Sequence, residues 1–272
     1  METSQPNTKS GVVVYLDSLG TKNLTTEETE KFILKKKDFL KDAEDGWKKR
    51  EGQFYSDNDL KLHLPKPEIA TFQDSIIICW SDKEQKSNFL PIYLSAGQWL
   101  IDAIPGAVAQ YNLFFRGAIS VGDYIFDSSQ DNVTVLGNAV SDAVQFEGLA
   151  DWIGVIQTQK CYGQYIAFLE SEGKKVNPNA NVEKMAKFFA FLFVPYHIPL
   201  KHKVESITKK KYFALSWPYF GCKREDLCSF PQLLLNASQS VKEEDKPKYE
   251  NAKEFFEWYK KNIYPEILNN SK

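Results

Sequence analysis

At 272 residues, with 34 Lys and Arg against 36 Asp and Glu, the chain has a formal net charge of −2 and 43% hydrophobic residues. That balance argues against a broadly basic nucleic-acid-binding surface and against a disordered chain, and it allows a large core with a small anionic ligand. The length fits one domain with additions better than two full domains.

Cys79, Cys161, Cys222 and Cys228 form no Cys-x-x-Cys pattern, which suits a reducing cytoplasm. The N-terminus has no apolar signal-peptide core, and the greasiest later segment is broken by Pro195 and Pro199. Neither export nor a membrane span is expected. His63, His197 and His202 lack a second matched pair of zinc ligands and read as surface or strand residues.

In chain order, "GVVVYLD" (11–17) predicts a β-branched strand that ends on Asp17. Thr25 and Glu28 form a capping box for a long helix whose apolar side carries Phe32, Ile33, Phe39, Leu40, Ala43 and Trp47. "EIATF" and "SIIICW", separated only by "QDS", predict a hairpin with Asp74 at its tip. A second helix is expected over 88–110, ended or kinked at Pro105.

"LFFRGAISVGDYIF" (113–126) predicts a strand, and "NVTVLGNAV" (132–140) a short strand running into a helix near Asn138. "WIGVIQT" reads as strand and "QKCYGQYIAFLESEG" as helix. "FFAFLFVPYHIPLKHKV" and "KKKYFALSWPYF" suggest a last antiparallel pair, and the remainder is helical. The expected fold is α+β, an antiparallel central sheet with helices on one face, similar to the ferredoxin-like palm. The expected domains are residues 11–235 and a C-terminal helical extension, 236–272.

Asp17 and Asp74 are the informative pair. A lone Asp after a strand is usually a turn former. Two carboxylates at neighbouring strand ends repel, and hard oxygen ligands of this kind suit Mg²⁺ or Mn²⁺. Two such ions roughly 3.5–4 Å apart can activate an attacking hydroxyl and stabilise a leaving pyrophosphate. Gly20 would let backbone N–H groups approach a phosphate.

Through "YLDSLGTK", "FQDSIIICW", "RGAISVGDYIF", "LGNAVSDAVQFEGLADWIGV", "VPYHIPLK" and "YFALSWP", the sequence resembles class III nucleotidyl cyclases. The likeness is closest to the bacterial pyrimidine cyclases of the Pycsar antiphage defence system and spans roughly residues 11–220. It implies a cyclase homology domain that converts UTP, or CTP, to a 3′,5′-cyclic monophosphate, with two ions held by Asp17, Asp74 and the Ser18 carbonyl. It also implies a head-to-tail homodimer and a cyclic-nucleotide-gated effector downstream; from charge balance and the lack of an apolar span, no nucleic-acid or membrane partner is expected. Where purine cyclases carry a stabilising Asn and Arg, this chain has Ser141 and Gln145. The compensating charge is expected from Arg116 first, then Lys22, Lys201 or Lys203. Where adenylate cyclases carry their base-selecting Lys and Asp, it has Ala70 and Thr134, a neutral pair compatible with a pyrimidine; Tyr55 is a further candidate. The competing readings are an adenylate or guanylate cyclase and a catalytically silent nucleotide- or partner-binding module.

Overall fold

The computed structural model describes residues 7–22, 24–50, 65–81, 90–128, 132–173, 181–201, 212–223 and 230–270. Its first half runs β1 (Thr8–Ser18), α1 (Thr26–Arg50), β2 (Glu68–Phe72), β3 (Ser75–Ser81), α2 (Leu90–Tyr111) and β4 (Phe115–Asp127). These four strands lie in the order β2-β3-β1-β4, each antiparallel to its neighbour. A βαββαβ chain with that strand order is the ferredoxin-like palm. β1 is central because Val12, Val13 and Val14 are all fully buried, so both of its faces are covered. The capping box forms: the Thr25 N–H donates to Glu28 Oε2 at 2.8 Å and the Glu28 N–H to Thr25 Oγ1 at 3.3 Å.

The second half adds β5 (Thr134–Leu136), α3 (Asn138–Leu149), β6 (Gly154–Gln157), α4 (Gln159–Gly173), α5 (Asn181–Leu192), β7 (Phe193–Tyr196) and β8 (Tyr212–Leu215). The sheet becomes eight-stranded, β2-β3-β1-β4-β6-β8-β7, with β5 paired to the far end of β4. It is antiparallel except for β4 against β6. Four helices follow: α6 (Pro218–Lys223), α7 (Phe230–Ser240), α8 (Lys246–Asn262) and α9 (Tyr264–Asn270). Among the described residues no helix is long and apolar enough to cross a membrane.

Three local expectations need correction. Helices cover both faces of the sheet. Phe39 of α1 packs on Phe115 and Tyr93 of α2 bonds Gln157, whereas α3 reaches Arg116 from the opposite face. α2 also does not end at Pro105 but continues through it, because Leu100, Ile101, Ile104 and Ala107 are fully buried around it and their packing outweighs the roughly 3 kcal/mol proline cost. Finally, "FFAFL" is the end of α5, so the last strand pair starts only at Phe193. Phe189 stacks on Tyr165 of α4 and is shared with the α2 side chain Tyr93, a helical rather than alternating pattern.

Candidate active site

β1 lies between β3 and β4, with Asp17 opposite Ser75 on one side and Arg116 on the other. Just beyond Asp17 the chain is still stitched to both neighbours. The Ser18 N–H and Oγ both donate to the Asp74 carbonyl, at 3.2 and 2.7 Å, and the Leu19 N–H donates to the Phe114 carbonyl at 2.9 Å. The β2–β3 turn therefore sits beside the end of β1 and delivers Asp74 to the same place. Its carboxylate accepts from Thr21 Oγ1 at 2.7 Å. The turn is tight, with Gln73 at φ +46°, and Lys36 of α1 clamps it by donating to the Gln73 and Ser75 carbonyls at 2.6 and 3.3 Å.

Burial pushes the Asp17 carboxyl above its ordinary value, and the neighbouring Asp74 carboxylate adds to the rise. Arg116 and Ser75 oppose it: Arg116 Nη2 donates to Asp17 Oδ2 at 3.2 Å and Ser75 Oγ to Oδ1 at 3.3 Å. The Arg116 guanidinium, 7% exposed, is held on three sides. Besides Asp17 it donates from Nε to Glu147 of α3 and from Nη1 to the Ala150 carbonyl at 3.3 Å. Burial also raises the Glu147 carboxyl, despite the guanidinium beside it.

Two carboxylates brought to one end of the sheet concentrate negative charge, and their oxygens are the hard donors a divalent cation prefers. Asp17 and Asp74 thus fit Mg²⁺ or Mn²⁺, with the Ser18 carbonyl on the same segment. Among the described residues there is no cluster of three or more His, Cys, Asp or Glu side chains suited to a metal. A cation here would therefore take its remaining ligands from backbone, water or substrate.

The other sequence candidates are spread more widely. Gly20 forms the turn after β1 at φ +81°, a conformation that favours glycine, and is exposed, as is Lys22. Lys201 lies near Arg116 and Glu147; burial, then the Arg116 charge, lower its pKa. The Ala70 methyl is 2% exposed and packs in the core. Thr134 pairs with Asp127, eleven positions along β4 from Arg116, on the order of 35 Å at ordinary strand rise. Ser141 and Gln145 lie on the exposed side of α3, and His197 is exposed. Lys203, Tyr55, His63 and His202 lie outside the described residues.

Sequence reading missed Lys36 and Glu147. Both carry a signal: each is an ionisable residue on the apolar stripe of an amphipathic helix, Lys36 between Phe32 and Phe39 or Leu40, and Glu147 in line with Val140 and Ala143.

No protein-family model matches the chain, and no curated protein does. Solved structures do. The dimeric guanylyl cyclase domain of the RhoGC fusion protein from the aquatic fungus Blastocladiella emersonii is 11% identical, covers 78% of this chain and 97% of its own, and has a TM-score of 0.46. The guanylate cyclase domain of RhGC from Catenaria anguillulae, solved with GTP, is 13% identical over 76% of this chain and 97% of its own, with a TM-score of 0.43. Likeness at this distance assigns neither family nor activity; the fold above rests on the strand order and register of the chain itself.

Proposed function

We propose that the protein is a pyrimidine nucleotide cyclase of the class III type, converting UTP, or CTP, to the 3′,5′-cyclic monophosphate and pyrophosphate. The observation that carries this reading is the meeting of Asp17 and Asp74, from separate parts of the sequence, at one end of the sheet with Gly20 beside them. The sequence resemblance supplies the substrate class and the setting: a cytoplasmic second messenger of antiphage defence that acts on a cyclic-nucleotide-gated effector.

Mg²⁺ or Mn²⁺, when bound, lowers the pKa of the attacking 3′-hydroxyl and neutralises charge on the leaving pyrophosphate. Asp17, Asp74 and the Ser18 carbonyl would hold the ions. The 3′-oxygen bonds to the α-phosphorus, the bond to the pyrophosphate oxygen breaks, and the hydroxyl proton is lost to solvent. The exposed Gly20 turn, with Lys22 and Lys201, would face the phosphates. Arg116 beside Asp17 supplies fixed positive charge where negative charge develops. Thr134 lies too far along the sheet to serve the Asp17 of its own chain, and Ser141 and Gln145 sit on the exposed side of α3. In a head-to-tail homodimer they would face the partner's site, together with the base.

Incubating the protein with each of UTP, CTP, ATP and GTP in Mn²⁺ and identifying the products tests the proposal. Cyclic UMP or cyclic CMP is expected. Cyclisation of ATP or GTP alone would replace the pyrimidine reading, and nucleotide binding without turnover would replace the catalytic one.

A further inference from the structure

α8, from the C-terminal part of the chain, reaches the site described above. Tyr249 in its first turns is 2% exposed, and its ring packs edge-on against Phe114, with centroids 5.2 Å apart. Phe114 is the residue whose carbonyl holds the Leu19 N–H, immediately before Gly20. A methyl group built on Gly20 would have the Tyr249 hydroxyl oxygen as its neighbour, at 3.8 Å. The phenol of a buried ring is therefore aimed at the turn after β1. The hydroxyl oxygen is not among the fully enclosed, unpartnered polar atoms, so solvent or a ligand can reach it beside that turn.

The surroundings repeat the pattern. Two residues on, Asn251 Nδ2 donates to the Asp151 carbonyl at 2.6 Å, which fixes this end of α8 to the segment after α3. That segment is in turn tied to Lys201, whose N–H donates to the Leu149 carbonyl at 3.0 Å, and its Ala150 carbonyl accepts from Arg116. Lys248 lies close enough to Lys201 for its charge to act there. Asp17, Arg116, Ala150, Asp151, α8, Phe114 and the Gly20 turn thus form a closed ring of contacts, with Tyr249 filling the gap between the last two. Burial, with the nearby Asp245 carboxylate, moves the phenol up to about 12, so near neutral pH it is a donor and never an anion.

We propose that α8 is a wall of the active site and that the Tyr249 hydroxyl donates to the triphosphate lying over the Gly20 turn. This rests on the catalytic reading and adds to it a substrate-positioning residue from outside the palm. A donor to a charged phosphate oxygen that is otherwise unpartnered contributes roughly ten-fold in affinity.

The test uses the full chain and Tyr249→Phe, which removes one oxygen and keeps the ring on Phe114. Binding of inorganic tripolyphosphate with Mn²⁺ is measured by calorimetry, and kcat and KM are measured for the pyrimidine triphosphate. The expected result is tripolyphosphate affinity reduced about five- to twenty-fold, KM raised by the same factor and kcat changed less than about two-fold. A purely packing role for Tyr249 predicts no change in either. Unchanged tripolyphosphate affinity in a variant whose wild type binds it would overturn the inference alone. Failure of the wild type to cyclise UTP or CTP would overturn the catalytic reading and this inference together, and a KM unchanged by the substitution would overturn the inference alone.

Discussion

The two ends of the sheet are held by different forces. Around β1, β3 and β4 the interior admits charge: Asp17, Arg116, Glu147 and Lys36 are buried or half-buried and linked to one another or to turn carbonyls. Around β6, β7 and β8 the interior is aromatic. Trp152 lies between Tyr196 and Phe255, and Trp217 between Phe230, Phe255 and Phe256, with centroid separations of 4.9–6.1 Å. Rings packed in this way stabilise through buried area and contact geometry. Buried charges carry a desolvation cost that their mutual attraction only partly offsets. The first end therefore holds groups that stability alone does not call for, and the second holds the molecule together.

Substitutions that remove charge from the first end sharpen the contrast, beginning with the largest effect. Under the proposed cyclase function, Asp17→Ala or Asp74→Ala should lower turnover by at least about a thousand-fold, because each would remove a proposed cation ligand. Product formation from UTP or CTP reads this directly, while the fold persists by circular dichroism. Residual activity above one per cent of wild type, ~3 kcal/mol or less in barrier, would mean the pair is not the catalytic centre.

Next, Glu147→Leu should cost about 3–5 kcal/mol in urea unfolding, since it strands the Arg116 guanidinium. The double change Arg116→Met with Glu147→Leu should recover most of that loss without recovering turnover. In the aromatic end Phe255→Ala should cost a similar ~3–5 kcal/mol, with no double partner able to restore it. If the double variant stays as unstable as Glu147→Leu, the ionic network is structural and the comparison fails.

Lys36→Met is milder. It keeps the stem and removes the donor to the Gln73 and Ser75 carbonyls, at a cost of about 1–2 kcal/mol. Turnover should fall more than stability suggests, because the turn that loosens carries Asp74. Equal turnover in the variant would show that the turn holds its shape unaided.

The smallest effect is a pH slope. Burial raises the Glu147 carboxyl in the folded protein, so the native state keeps this proton to higher pH than the unfolded chain. Protons bound to the native state favour it, and this contribution is therefore present at low pH and lost as pH rises through the raised value. The stability of wild type relative to Glu147→Gln should decline from about pH 4 towards neutrality. A difference that grows with pH would mean that the Arg116 pairing outweighs burial.

Much of the palm was legible because short-range signals agreed there. The β-branched run of β1, the Thr25–Glu28 box and the three residues between "EIATF" and "SIIICW" each specify local structure, and the hairpin alone fixes Asp74 at a turn. That Asp74 lies beside Asp17 depends on β3 pairing with β1, which the expected palm order implied. What escaped notice was set by tertiary packing. Pro105 stays in a helix because its neighbours are buried, and Phe189 belongs to a helix because Tyr165 and Tyr93 surround it. β6 joins β4 in parallel across an intervening helix, a long-range pairing without a turn signal. Glu147 and Tyr249 reach the site from distant helices, so nothing near Asp17 in sequence points to them.

The position of α8 in the chain has a consequence for synthesis. Every strand of the sheet precedes it, yet Phe114, Trp152 and Trp217 all rest against its side chains. A nascent polypeptide can thus complete its sheet on the ribosome while an oily surface remains bare. Until α8 emerges and docks, that surface is open to chaperones and to neighbouring nascent chains, and a premature stop before Lys246 would leave it so permanently.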